Sequence, residues 1–472
     1  MTDDRPNIVF IVTDDHAAHA ISAYGSELLQ TPSMDRIAAE GMRFDAMYCT
    51  NALCAPSRAS ILTGTYSHVN GVSTLSTRFD ARQPTFVSML RDAGYQTWLV
   101  GKWHLGHGGI HDPQGFDYWE VLEDQGPYWD PELLSEGGRR RQVPGYTTTV
   151  LTDLALERLT ERDRERPFCL LLHHKAPHRS WDPDTKHAEL FKEGVPEPPT
   201  LWDDHAGHGR AAREAKMRIS HDLNERDVKQ PYPPGLEGRE RTKWAYQRYM
   251  QDYLRCVVSV DENIGRVLDA LDEEGLAENT LVVYTSDQGF FLGDHGWYDK
   301  RFMYDESLLM PLMIRYPREI PAGSTTDAMA LNIDFAQTFL DYAGLDPLPR
   351  MQGRSLRPLL RGERPADWRQ SVYYRYWEHD DGSHHVVAHY GVRTQRYKLI
   401  YYYGDGLGLA GTSDRRTAPE WELFDLENDP AELRSVHDDP AYADVRRELE
   451  AELARLQAEF GDKPVLAPGG SG

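Results

Sequence analysis

Unbroken runs of apolar residues recur through the first 315 positions, and they constrain the fold more than any other feature. Asn7–Thr13 reads NIVFIVT, Phe168–His173 reads FCLLLH and 280–285 reads TLVVYT, while 97–100 and Leu312–Arg315 are shorter runs of the same kind. Strands of this composition have no polar face, so both faces must be covered. Helix-patterned stretches at 33–40, 85–93, 147–160, 241–274 and 332–342 lie around them. Buried strands separated by helices predict an α/β fold, with a large, mostly parallel sheet flanked by helices. In such sheets ligands bind beyond the carboxyl ends of the strands.

The pattern changes near residue 365. Strand-like segments at 372–377, 385–392, 397–403 and 421–425 precede a charged helical stretch at 442–460. A smaller C-terminal antiparallel sheet with a packed helix is expected there. With 472 residues, the chain exceeds what one core usually serves. The expected division is a main domain at 1–365 and an α+β subdomain at 366–472. Within the first, 182–239 is rich in Pro, His, Gly and charge, and reads as an insertion, either a lid or wall over a site or a solvated excursion. The tail at 468–472 (PGGSG) is expected to be disordered.

Net charge is -23, from 52 Lys+Arg against 75 Asp+Glu. That disfavours nucleic acid as a partner, because duplex binding needs a broad basic surface, and it disfavours gripping the middle of a long polyanion. An anionic substrate would need positive charge concentrated in a pocket. No run is long and apolar enough to span a membrane, and no basic n-region with an apolar stretch opens the chain. A cytoplasmic location is expected, with an exported form left open. Four cysteines in so long a chain argue against a disulfide framework. Cys169 and Cys256 read as small buried hydrophobes.

Chemistry-bearing residues follow the strand candidates. Asp14 and Asp15 follow the first, Lys102, Trp103 and His104 follow the second, His178 follows Phe168–His173, and Asp287 and Gln288 follow 280–285. At the same end of one parallel sheet, all would meet in one crevice. Asp14, Asp15, Asp287 and the Gln288 amide oxygen form an all-oxygen set suited to Ca²⁺ or Mg²⁺. A lone Asp-Asp pair is more often a solvated loop or a helix cap, and the second acidic pair shifts the balance. If the chain stays extended, Lys102 and His104 face one way and Trp103 the other.

The segment Cys54-Ala55-Pro56-Ser57-Arg58 carries Pro where a first helical turn tolerates it. Cys54 then lies at a helix N-terminus, where free amides favour an anion, and Arg58 shares its face. A buried cysteine before a helix is the ordinary alternative.

Cys54-x-Pro56-x-Arg58 followed by Leu62-Thr63-Gly64 resembles the sulfatase signature. The resemblance extends to Asp14-Asp15, to Lys102-Trp103-His104, to Ala176-Pro177-His178, to Asp287-Gln288, to Gly293-Asp294-His295-Gly296 with Lys300, and to C-terminal segments around Tyr390 and Trp421. It implies an alkaline-phosphatase-like fold and one bound Ca²⁺, with Mg²⁺ the lesser choice. It also implies a formylglycine made from Cys54 by a maturation enzyme. Hydrated, that aldehyde would attack sulfur with help from Arg58, form a sulfo-enzyme and reset itself. The resemblance gives Lys102 to a sulfate oxygen, His104 to the formylglycine hydroxyl, and His178 with Lys300 to the leaving group. Gln288 departs from the Asn or His common in relatives, but still offers an amide oxygen.

For the substrate, the segments around His178 and Asp287 resemble bacterial sulfatases of sulfated sugars, N-acetylglucosamine-6-O-sulfatases above all. An exo-acting enzyme on small sulfated saccharides is expected. Glu378, His379, His385 and His389 are candidates for sugar contacts, or ordinary polar residues of a hairpin. His205 and His208 read as solvated. The alternatives are a phosphonate monoester or phosphodiester hydrolase, an aryl or choline sulfatase, and a non-catalytic sulfoglycan-binding protein.

Overall fold

A computed structural model describes residues 4–465. The tail at 468–472 lies outside the described residues.

Ten strands form the main sheet: β1 Asn7–Thr13, β2 Met42–Phe44, β3 Gln96–Lys102, β4 Tyr118–Leu122, β5 Glu132–Ser135, β6 Arg139–Gln142, β7 Phe168–His173, β8 Thr280–Ser286, β9 Leu312–Arg315 and β10 Ser324–Thr326. Their order is β10-β2-β9-β8-β1-β7-β3-β4-β5-β6. From β8 to β4 every pairing is parallel; β9 and the β5–β6 edge run antiparallel to their neighbours.

The composition of β1 explains its central place. All seven of its residues are buried. Ile8, Phe10 and Val12 join one core with Leu62 of α2 (Cys54–Thr63), Phe86 of α3 (Phe86–Asp92), and Phe335 and Phe339 of α6 (Asp334–Tyr342). Val9 and Ile11 face the opposite core, with Met34 of α1 (Pro32–Ala39), Leu151 of α4 (Thr147–Glu161) and Leu254 of α5 (Gly238–Glu273). Successive side chains of a strand point to opposite faces, so one apolar run serves two helical layers. The Phe10 ring lies 5.0 Å from Phe335 and 5.1 Å from Phe339.

The N-terminus of α1 shows how the layers lock together. Its own N-cap, Thr31, makes no side-chain cap. Asp261 of α5 takes that role, accepting from Ser33 N at 3.1 Å and Met34 N at 2.9 Å. No helix among the described residues is long and apolar enough to cross a membrane.

A second sheet follows, with antiparallel order β11 Ser371–Tyr376, β12 His389–Thr394, β13 Tyr397–Tyr402 and β14 Glu420–Asp425. Helix α7 (Ala443–Phe460) buries Leu449, Leu453 and Leu456 in the larger core. Strand β12 starts four residues later than its apolar pattern suggests, because His385 takes a left-handed φ of 52° and 385–388 stay in a loop.

Segment 182–239 contributes no strand to either sheet among the described residues. It is nonetheless anchored. Ile219 N donates to Gly296 O at 2.9 Å, and Tyr298 N donates to Met217 O at 2.9 Å. Ile219, Leu223 and Val228 are buried in the same core as Tyr249 and Met250 of α5.

Candidate active site

The register of the parallel strands brings the strand-end residues together. Thr13 of β1 pairs with Ser286 of β8, and Val12 pairs with His173 of β7. Asp287 N then donates to Thr13 O at 3.1 Å, and Asp14 N donates to Ala176 O at 3.3 Å. On the other side of β7, Gly101 pairs with His173 and Lys102 comes next. A Cβ at Gly101 (φ 111°) would stand 2.0 Å from His173 O, so only glycine lets β3 deliver Lys102 this close.

Asp15 takes a left-handed φ of 67°. That turn ends the strand's alternation, so neighbouring carboxylates at 14 and 15 can serve one centre. One oxygen each of Asp14, Asp15 and Asp287 lies within 4.8 Å of the others, and all three residues are fully buried. Three cations hold this acid. Lys102 Nζ pairs with Asp14, Lys300 Nζ lies 2.8 Å from the Asp15 carboxylate, and Arg58 Nε lies 2.9 Å from Asp287 Oδ2.

The three cations do not cancel the cost of burying two of these carboxylates. Burial pushes Asp15 up to about 6, against the pull of Lys300. Burial, followed by the charge of Asp14, pushes Asp287 up to about 7. Among the described residues, the buried Asp14 Oδ1 and Gln288 Oε1 have no hydrogen-bond partner. Gln288 Nε2 donates to Asp15, so its Oε1 stays free. An oxygen-only donor set with two buried oxygens left without partners fits a hard divalent cation.

Cys54 opens α2, next to this group. One ligating atom each of Cys54, Asp14 and His178 lies within 4.8 Å of the others. Burial pushes the Cys54 thiol far above its ordinary range. An unmodified thiol here stays protonated and is a poor nucleophile. Arg58 is positioned through further bonds, from Nη1 to Lys102 O at 3.1 Å and to His173 Nδ1 at 3.4 Å.

Lys102 and His104 meet through Gln125. Lys102 Nζ donates to Gln125 Oε1 at 2.6 Å, and Gln125 Nε2 lies 3.2 Å from His104 Nε2. The route is not an extended chain, since His104 has a left-handed φ of 54°. Burial, then Lys102, drives the His104 imidazole well down, so it is neutral.

His178 Nδ1 lies 2.6 Å from Arg179 O, which fixes the proton on Nδ1 and leaves Nε2 free, 3.7 Å from Asp15 Oδ2. Burial drives this imidazole well below its usual range. Burial opposes the charge of Lys300 too, but Asp15 and Asp299 outweigh it and hold the ammonium well above its usual range. Outside His178 opens a crevice of about 840 Å³ between the Gln125–Tyr128 loop and residues 222–229 of the excursion.

The four C-terminal sugar-contact candidates do not line this crevice. His389 is fully buried, its ring 5.3 Å from Tyr376, 5.7 Å from Tyr374 and 5.8 Å from Phe302, which makes it a core residue. His379 spends both ring nitrogens on backbone, Nε2 against Arg415 O at 2.7 Å and Nδ1 accepting from Ala388 N at 3.2 Å. Glu378 accepts from Leu75 N at 2.7 Å and Arg301 Nη1 at 3.3 Å. His385 pairs with Asp380 at 2.8 Å. The neighbour His384 reaches the site's edge instead, with Nε2 3.3 Å from Asp299 Oδ2 beside Lys300. An alternating strand pattern could not give that one-residue difference. Gln125 and Lys175 lie in loops and carried no sequence signal beyond proximity to the motifs.

His205 and His208 are not solvated. Both are buried under Trp297, Tyr304 and Phe424, with His208 Nε2 2.9 Å from Asp203 Oδ2. The rings that cover them come from distant parts of the chain.

The sulfatase model matches residues 6–345, and the model for the C-terminal region of N-sulphoglucosamine sulphohydrolase matches 293–459. An N-acetylglucosamine-6-O-sulfatase of Bacteroides thetaiotaomicron is 45% identical over 504 residues, covering 97% of this chain and 87% of the relative. Human N-acetylglucosamine-6-sulfatase is 30% identical over 395 residues, covering 79% of this chain and 67% of its own. A solved protein in complex with its substrate D-glucosamine-2-N,6-O-disulfate superposes with a TM-score of 0.91 at 44% identity, covering 97% of this chain and 98% of its own.

Proposed function

This chain belongs to the sulfatase family, and from that membership we propose that it removes the 6-O-sulfate from glucosamine residues at the ends of glycosaminoglycan fragments. It is a sulfuric ester hydrolase. The observation that carries the chemistry is the convergence of Cys54, Asp14 and His178 within 4.8 Å. The sugar rests on the B. thetaiotaomicron relative and on the substrate held by the 0.91 superposition.

Asp14, Asp15, Asp287 and Gln288 would hold one Ca²⁺, which when bound polarises the sulfate oxygens. Position 54, if matured to formylglycine by a partner enzyme and hydrated by one water to the geminal diol, would supply the hydroxyl that attacks sulfur. The remaining work falls to side chains of this chain. Lys102 and Lys300 would face the sulfate oxygens as charge gathers on them, in a buried site of low dielectric. His104, neutral and with Nε2 accepting from Gln125, carries its proton on Nδ1 and would donate it to an oxygen at position 54, orienting that group. Arg58, fixed on Asp287 and Lys102 O, adds positive charge beside the helix start.

His178 offers Nε2 to the leaving oxygen. Burial keeps it neutral in the free site. An incoming anionic sulfate ester raises its proton affinity, because a nearby negative charge favours the imidazolium. The proton then passes from Nε2 to the departing sugar oxygen.

Two measurements test the proposal together. Mass spectrometry of the peptide carrying residue 54 must show the aldehyde. The same preparation must release sulfate from N-acetylglucosamine 6-sulfate faster than from the 2-, 3- or 4-sulfated isomers of small saccharides. A preparation with the aldehyde but faster on another position would overturn the sugar assignment. We further propose a cytoplasmic site of action on imported fragments, which cell fractionation with an active-site antibody or tag would decide.

A further inference from the structure

The crevice outside His178 holds positive charge that no part of the protein uses. Lys175 lines it at 4% exposure. Its ammonium stands 4.8 Å above the Tyr128 ring and forms no ion pair among the described residues. Arg226 also lines it, exposed, and forms no ion pair among the described residues. Two other cations of the crevice are committed: Arg179 to Asp227 at 2.7 and 2.6 Å, and Lys229 to Asp252 at 3.3 Å.

A buried ammonium without a carboxylate is costly in a folded protein. The charges of Asp14 and Asp15 reach Lys175, but neither forms an ion pair with it, because Lys102 and Lys300 already hold them. Burial, with Lys102 nearby, lowers Lys175 to about 8, so most molecules still carry its charge at neutral pH. Arg226 belongs to the 182–239 excursion, which lines the crevice together with His178.

We propose that Lys175 and Arg226 form a second anion subsite, which holds a further sulfate or carboxylate group of the saccharide while its 6-sulfate occupies the reaction centre. The inference rests on the glucosamine 6-sulfate reading above and narrows it to saccharides with more than one negative charge. Asp182 and Asp222 line the same crevice and repel an anion placed on their side. A hydrogen-bonded charge pair desolvated in this way is worth about tenfold in recognition.

The test compares the wild type with Lys175→Met, Arg226→Met and the double variant. The substrates are N-acetylglucosamine 6-sulfate, D-glucosamine-2-N,6-O-disulfate, and a 6-sulfated disaccharide carrying a uronate. The readout is the ratio of kcat/KM for each doubly charged substrate to that of the monosulfate. We expect this ratio to fall about tenfold in each single variant, chiefly through KM. The substrate whose ratio falls identifies the group bound, sulfate or carboxylate. Unchanged ratios in both variants overturn the subsite. So does an equal loss on all three substrates, which would put Lys175 at the scissile sulfate. Arg226 is on the surface, so misfolding cannot explain its result. If the wild type cleaves aryl sulfate but no glucosamine 6-sulfate, the substrate assignment fails and the subsite with it.

Discussion

The Lys300 ammonium lies 2.8 Å from the Asp15 carboxylate, and both groups are sealed from solvent. Such a pair gains little over a well-packed apolar pair, but breaking it leaves a buried charge alone. Lys300→Met should therefore lower stability by about 3–5 kcal/mol, read from urea unfolding. It should also lower kcat by at least about 100-fold, as removal of a donor to developing charge does. A variant with normal stability would show that Asp15 is neutral in the folded protein.

Cys54→Ala should abolish turnover to background, because no other group within reach can attack sulfur. The fold should survive, since one small buried atom is lost, at a cost of about 1 kcal/mol. Sulfate release and the thermal midpoint read the two halves separately. Full activity in this variant would end the mechanism.

His178→Ala should separate good leaving groups from poor ones. A sugar alkoxide needs the proton, and loss of general acid help costs about 10²–10⁴-fold. Nitrophenolate leaves without it and should lose far less. Equal losses on sugar and nitrophenyl sulfates would remove His178 from the acid role.

Metal binding should depend on pH in a stated direction. In the metal-free protein, burial raises Asp15 to about 6 and Asp287 to about 7 from an ordinary 3.8. The native state then binds more protons than the unfolded chain between about pH 4 and 7, so these two groups lose stabilising effect as pH rises through that window. Ca²⁺ needs both carboxylates ionised, so its affinity rises over the same window. The gain in thermal midpoint on adding Ca²⁺ to chelator-stripped protein should be larger at pH 7.5 than at pH 5. An equal gain at both would contradict the assignment of the ion to these carboxylates. Chelation should abolish activity, and Ca²⁺ should restore it better than Mg²⁺.

His389→Ala should behave as a core truncation, with about 2–4 kcal/mol lost in unfolding and KM for small sulfated sugars unmoved. A raised KM with normal stability would return His389 to the substrate.

The contrast between His389 and Asp14 shows what the sequence can carry. Asp14 was legible because the strand before it is an unbroken apolar run, and a parallel sheet assigns its end to a crevice. The buried faces of β1 follow from the same run, one period of two for each helical layer. His389 sits in an equally regular strand, but what decides its role is the stack of Phe302, Tyr374 and Tyr376 around it. Those rings meet only in the folded chain. His205 and His208 were misread for the same reason, and the one-residue difference between His384 and His385 turned on a single left-handed φ. Gln125 links Lys102 to His104 from a loop whose shape no local pattern records.

The Cys54 side chain is 1% exposed and packed among residues from distant parts of the sequence, Asp14 and His178 among them. A foreign protein cannot insert its own catalytic groups there once those parts have joined. The oxidation proposed for this residue would therefore have to compete with folding: a chain that closes early would be locked as an inert thiol, however intact its shape. In a host short of maturation enzyme, faster folding would yield more protein and a smaller active fraction.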